Sequence, residues 1–186
     1  MNTSVVEERI RNCRSLPVDR YARSYPAILE FFANWRPSSV ADLGLACTIV
    51  YGWMPTTIKW DPSVTDLSFG EALRASPNMS PAFQTAVALF EGSVIAASKL
   101  AHFLNPTEYP IWDRRVSIAL GNGKSYYRVN RLSAYNEYRA LILDIARSPS
   151  GATAVRTVER LTSYSVSPVR AIEMIVFYSQ SSIERT

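Results

Sequence analysis

The stretch Ser98-Lys99-Leu100-Ala101-His102-Phe103-Leu104-Asn105-Pro106-Thr107-Glu108-Tyr109-Pro110-Ile111-Trp112-Asp113-Arg114-Arg115-Val116 decides how the chain is read. Leu100, Phe103 and Leu104 recur at helical spacing, and Asn105-Pro106 stops that helix. Pro110 makes the pair that follows it extended. Asp113 then stands where a helix N-cap belongs, ahead of Val116, Ile118, Ala119 and Leu120, because a short carboxylate accepts the orphan N–H groups of a first turn. Lys99 and Asp113, fourteen positions apart, therefore lie on two helices joined by a short, stiff connection. In a hairpin of helices the two side chains can face each other across one cleft, as a candidate catalytic pair.

Upstream, residues 4–14 read as a helix with Ser4 as cap and Val5, Val6 and Ile10 as its apolar stripe. Asp19 caps a longer helix through Trp35, carrying Tyr21, Tyr25, Ile28, Leu29, Phe32 and Trp35; Pro26 either kinks it or opens a second one. Residues 40–52 are apolar and long enough for a buried helix. From Gly52 to Pro62 the chain is irregular and aromatic, with Trp53, Met54, Pro55, Lys59 and Trp60. Those indoles either plug the edge of the core or line a pocket for a flat ring. Ser68 opens a short helix to Ala75, and 76–81 is a turn leading into a helix from Pro81 to about Phe90. Glu91-Gly92-Ser93 is the break, and Ser93 caps the helix that carries Lys99. An unbroken helix from Pro81 to Leu104 is the alternative.

Downstream, Gly121-Asn122-Gly123-Lys124 reads as a helix terminator. Tyr126-Tyr127 leads to a helix from about Ser133 to Arg147, 148–151 is a turn, and Val155, Val158 and Leu161 mark the next helix. Ser167-Pro168 opens the last one, and the tail from Ser179 is polar. Nine or ten helices and no strand hairpin make the chain all-α, a single domain over 1–186.

Composition bounds the rest. The chain has 186 residues, 47% hydrophobic and 19% charged, as in a soluble globular domain. Its charge of +4 and pI near 9.2 permit contact with phosphates without demanding it. Cys13 and Cys47 form neither a disulfide framework nor a zinc spacing, so no metal and no cofactor are expected. No run approaches the ~18 apolar residues of a membrane span, and no signal peptide is evident, which reads as cytoplasmic.

Around Lys99 the sequence resembles the helix-hairpin-helix DNA glycosylase superfamily, and within it bacterial and phage proteins of the 8-oxoguanine-glycosylase fold. Ser98-Lys99, the aromatic Phe103 four positions on, and the string Pro110-Ile111-Trp112-Asp113-Arg114-Arg115-Val116 carry that resemblance over about twenty residues. The family's hairpin glycines are replaced by Val94-Ile95-Ala96-Ala97-Ser98, leaving Gly92, so the hairpin is degenerate. The resemblance implies a multi-helix glycosylase-like domain with DNA as partner. It also implies Lys99 as amine nucleophile or substrate-positioning base and Asp113 as electrostatic partner of an oxocarbenium-like sugar carbon. His102, Trp112, Trp53, Arg114 and Arg115 are the candidates to bind the substrate, a base flipped from the duplex. Each has a plainer reading. Asp113 is a cap, Lys99 a lysine whose stem covers apolar neighbours, and His102 a packed histidine. Two other functions stay open: a phage hypermodification transferase joining an amino acid or amine to an activated thymine, and a non-catalytic module binding nucleic acid or protein.

Overall fold

A computed structural model of the protein describes residues 1–53, 59–75, 81–122 and 125–179. Its elements are all helical: α1 (Thr3–Asn12), α2 (Arg20–Asn34), α3 (Val40–Trp53), α4 (Phe69–Ala75), α5 (Pro81–Leu89) and α6 (Val94–Leu104), then α7 (Arg114–Ala119), α8 (Tyr126–Val129), α9 (Leu132–Ala146), α10 (Pro149–Thr162) and α11 (Pro168–Tyr178). Among the described residues there is no strand, and no helix is long and apolar enough to cross a membrane. The chain is all-α.

Two groups of helices divide the packing. In the first, α6 is the axis: α2, α3, α4 and α5 all lie against it, which is why every residue from Ala96 to Leu104 is buried. In the second, α11 is the axis, packed by α1, α7, α9 and α10 and buried over most of its circumference. A helix buried on all sides is apolar all round, and α6 and α11 fit that rule except for a few polar side chains. Those exceptions are Ser98, Lys99 and His102 on α6, and Arg170 and Glu173 on α11.

The break between α5 and α6 falls where the glycine predicts it. Glu91 and Gly92 take positive φ values of 50° and 84°, Gly92 N–H reaches back to Val87 O (2.8 Å), and Ser93 Oγ accepts from Ala96 N–H. This is a glycine-terminated helix followed directly by a capped one, so the unbroken helix is ruled out. Asn130, just after α8, closes the turn from outside. Its side chain donates to Gly92 O (3.0 Å) and accepts from Val94 N–H (2.8 Å).

Several boundaries differ from the expectations. Asn2, not Ser4, caps α1, because its side-chain oxygen takes the Ser4 N–H. Pro26 sits inside one continuous α2, capped by Asp19 through Tyr21 and Ala22 N–H. Trp53 is the last residue of α3 and not part of a loop. The turn read over 148–151 is already helix: Ser148 is the cap and Pro149 the first residue of α10. That corner is tight, since a Cβ on Gly151 would lie 2.4 Å from Ala146 O. Met54 and Pro55, residues 76–80, Gly123 and Lys124, and the tail after Ser179 lie outside the described residues.

Candidate functional site

The segment between α6 and α7 has no regular structure, yet residues 109–113 are buried, so its backbone polar groups need partners. Side chains supply them. Ser98 Oγ accepts Trp112 N–H (3.1 Å), which latches the segment to α6 one residue from Lys99. Tyr138 donates to Ile111 O (3.1 Å) and Tyr135 to Pro110 O (3.3 Å), both from α9. The Trp112 indole N–H donates to Val129 O at 2.6 Å. With the segment held on both sides, Asp113 arrives at the head of α7, where its Oδ1 accepts Val116 N–H (2.9 Å).

The polar exceptions of the two axis helices meet where the groups join. Lys99 is 4% exposed, Asp113 5%, Arg170 3% and Glu173 1%, four charged residues withdrawn from water. Arg170 donates to Glu173 Oε2 in a close ion pair one helical turn long, and its guanidinium lies 4.4 Å from the centre of the Tyr25 ring and 5.5 Å from that of Trp53. The Arg170 Nε is buried without a hydrogen-bond partner. Lys99 makes no ion pair within 4 Å with a described carboxylate, but it lies in the field of both Asp113 and Glu173.

Burial dominates the proton affinities here, because a medium of low polarity disfavours every charged form. It pulls the Lys99 ammonium down to about 8, against the attraction of Asp113 and Glu173. It pushes the Asp113 carboxyl up, although the Val116 N–H and the Lys99 charge oppose it. It pushes Glu173 up to about 7, with Arg170 opposing and the like charge of Asp113 adding to the rise. An amine and a carboxyl that both titrate near neutrality in one water-poor seam can exchange charge states at little cost. That is the chemical capacity of the site.

The candidate substrate-binding residues separate into two sets. Trp53, Trp112 and His102 are core residues. Trp53 packs edge-on to Phe103 at 5.1 Å and donates its indole N–H to Tyr21 O, so it plugs the core, while Trp112 is wholly enclosed beside Tyr138. His102 is fully buried, with Nδ1 2.7 Å from Tyr109 O and Nε2 2.9 Å from the Tyr25 hydroxyl. A carbonyl only accepts, so Nδ1 carries the proton and Nε2 accepts from Tyr25. Both ring nitrogens are thus taken up within the protein. Arg114 and Arg115, in contrast, are exposed at the head of α7, with Arg115 5.1 Å over the Phe177 ring.

In the sequence Arg170 and Glu173, three apart on the last helix, read as a simple structural pair, which they form, but nothing there marked it as buried. The signal for burial was their setting, the only two charges in an otherwise apolar run from Val169 to Phe177. Among the described residues no group of three His, Cys, Asp or Glu is disposed to hold a metal ion. Comparison of the chain with protein-family models, curated proteins and solved structures gives no match.

Proposed function

We propose that this chain is a DNA base-processing enzyme of glycosylase-like fold, with Lys99 as the amine that engages the sugar carbon and Asp113 as the carboxylate that stabilises positive charge there. The observation that supports this is the burial of both side chains at one seam. The lysine is poised to lose its proton near neutral pH, and the aspartate is fixed by the α7 cap beside it. In the reaction the Lys99 nitrogen forms a bond to C1′ while the base departs with the C1′–N electron pair. The lysine nitrogen gives up a proton to the departed base, and its lone pair then expels O4′ as the C1′–O4′ bond breaks; O4′ takes a proton and the ring-opened adduct is an iminium. Asp113 faces the carbon as it becomes cationic. Lys99 is only 4% exposed, so turnover requires the α6 and α11 groups to part and admit a flipped nucleotide.

Borohydride added during turnover on a panel of abasic, oxidised-purine, uracil and bulky 5-substituted thymine DNA is expected to trap a covalent protein–DNA adduct. Lys99→Ala abolishes it with the fold intact. Asp113→Asn, which keeps a capping side chain, retains binding and lowers turnover by roughly 100-fold or more, as loss of one charge-stabilising group does elsewhere. A folded protein giving no adduct and no released base on the whole panel defeats excision and leaves amine transfer to an activated thymine as the next reading. Binding itself draws on the exposed Arg114, Arg115, Arg128 and Arg131. Affinity for duplex DNA is expected to fall as salt rises, with a slope equivalent to about four phosphates. Binding indifferent to salt contradicts it.

A further inference from the structure

The chain's excess of positive charge is concentrated in one place. Residues 9–23 hold five arginines, Arg9, Arg11, Arg14, Arg20 and Arg23, against a single acid, an excess of +4 that equals the formal charge of the whole chain. That acid, Asp19, is already engaged: its Oδ1 accepts Tyr21 and Ala22 N–H as the α2 cap and the Tyr178 hydroxyl at 2.8 Å. None of the five arginines lies within 4 Å of a carboxylate among the described residues.

Where α1 and α11 end next to each other, a cavity of about 250 Å³ opens, with Arg9 and Arg14 in its wall and Leu16 and Ile175 as its apolar lining. Asn12 and Ser15 add neutral polar groups, and among the described residues no Asp or Glu lines it. Its volume lies below the ~300 Å³ at which sites for drug-sized ligands begin, so it suits one small polar group. The arginines have a structural task there, because the last carbonyls of a helix carry partial negative charge. Arg9 donates to Ala119 O at the end of α7 (2.7 Å) and to Ser179 Oγ at the end of α11, and Arg14 to Arg11 O in the last turn of α1 (2.6 Å). That task leaves capacity over. A helix end amounts to about half a charge against a whole one on each guanidinium, and each guanidinium has more N–H donors than these oxygens take.

We propose that this cavity binds a phosphate monoester, gripped by the guanidinium groups of Arg9 and Arg14. Charge favours phosphate over carboxylate: a phosphate monoester carries about −1.5 to −2 near neutral pH and matches two guanidiniums, whereas a carboxylate leaves one uncompensated. The planar fork of arginine also fits phosphate oxygens two at a time. Neither Lys99 nor Asp113 lines the cavity, and the site does not depend on their role. A free phosphate ester and the 5′ end of a nucleic-acid strand both carry this chemistry.

The two cysteines supply the readout. Cys13 lines the cavity half-buried, and Cys47 is fully buried. In the native protein N-ethylmaleimide is therefore expected to modify Cys13 alone, while Cys47 reports any loss of fold. Inorganic phosphate at saturation is expected to slow the Cys13 reaction about ten-fold, since access governs a thiol's rate, and chloride or acetate at equal ionic strength leaves it unchanged. Broadening of the phosphate 31P signal reads the same binding without the thiol. Arg14 bonds only to its own helix end, so Arg14→Gln keeps the fold. It is expected to raise the phosphate concentration for half-protection about ten-fold or more, the worth of a hydrogen bond to a charged group. Arg36→Gln, which changes an exposed arginine outside the cavity, leaves that concentration as it was. A 5′-phosphorylated single strand that protects Cys13 where its 5′-hydroxyl counterpart does not assigns the site to a strand end; protection by inorganic phosphate and by neither strand assigns it to a free ester. Equal protection by both strands points to backbone charge and overturns the proposal. So does phosphate that acts no differently from chloride in both readouts, or a folded Arg14→Gln that binds phosphate as the unmodified chain does.

Discussion

Replacing Arg170 by alanine is expected to destabilise the protein by about 3–5 kcal/mol, one of the largest losses any single substitution away from the aromatic core would cause. The reason is not the strength of the Arg170–Glu173 attraction. Both ions have given up their hydration, 3% and 1% exposed, and the guanidinium also covers the Tyr25 and Trp53 rings. Removing Arg170 leaves the Glu173 carboxyl buried without its partner, which is costly, while removing both together is often neutral. The double variant Arg170→Met/Glu173→Leu is therefore expected to recover most of the loss, as read by comparing its urea unfolding midpoint with that of Arg170→Ala. A loss below about 1 kcal/mol in Arg170→Ala would show that water already reaches the pair.

The second large effect is the dependence of stability on acid. His102 has its proton affinity pulled down to about 3 by burial, from 6.5, with the Arg170 charge adding to the fall. The unfolded chain binds that proton below pH 6.5 and the folded chain does not, so the His102 contribution is complete above 6.5 and is lost as the pH falls toward 3. Fully developed, it is on the order of 4 kcal/mol. Glu173 acts with the opposite sign. Its folded-state value near 7 lies above the ordinary 4.5, so between those limits the folded chain holds a proton that the unfolded chain has released, and stability rises as pH falls. The two slopes oppose each other between 4.5 and 6.5. Wild-type stability is thus expected to stay nearly level down to about pH 4.5 and then to drop steeply, whereas Glu173→Gln begins to lose stability near 6.5. A denaturation series from pH 7 to 3 distinguishes the two curves. Coincident curves would mean that one of the two groups is not closed off from solvent.

How much of this could be read from residues alone follows from what each residue announces locally. Asp19, Ser93, Asp113 and Ser167 were legible as caps because a cap is decided by its own first turn, and each takes the N–H groups expected of it. The break before α6 was legible because glycine at positive φ is a local requirement. The enclosure of Trp53 was half legible, since an indole near a helix end serves a core or a pocket equally well until its neighbours are known. Arg170 and Glu173 were legible as a pair but not as a buried one, because an i, i+3 ion pair on a helix is usually solvated. Only the helices around α11, joined from both ends of the chain, decide that this one is not. The early start of α10 was missed for a similar reason: Ser-Pro followed by Gly signals a turn, and Ser148 turns the chain in a single residue.

One arrangement bears on how the chain comes together in time. α1 packs chiefly on α9, α10 and α11, with Val6 and Ile10 shut into that contact, Arg9 bonded to Ala119 O and Ser179, and Glu7 accepting from Ser150. A helix of ten residues is marginal by itself in water. Made before the other helices, it must wait for roughly 160 further residues before α11 exists to receive it, an interval of about 10–30 s at ordinary rates of synthesis. The α2–α6 group, whose helices pack chiefly on one another, has all its parts long before then. The first of these helices to be synthesised is therefore among the last to find its place.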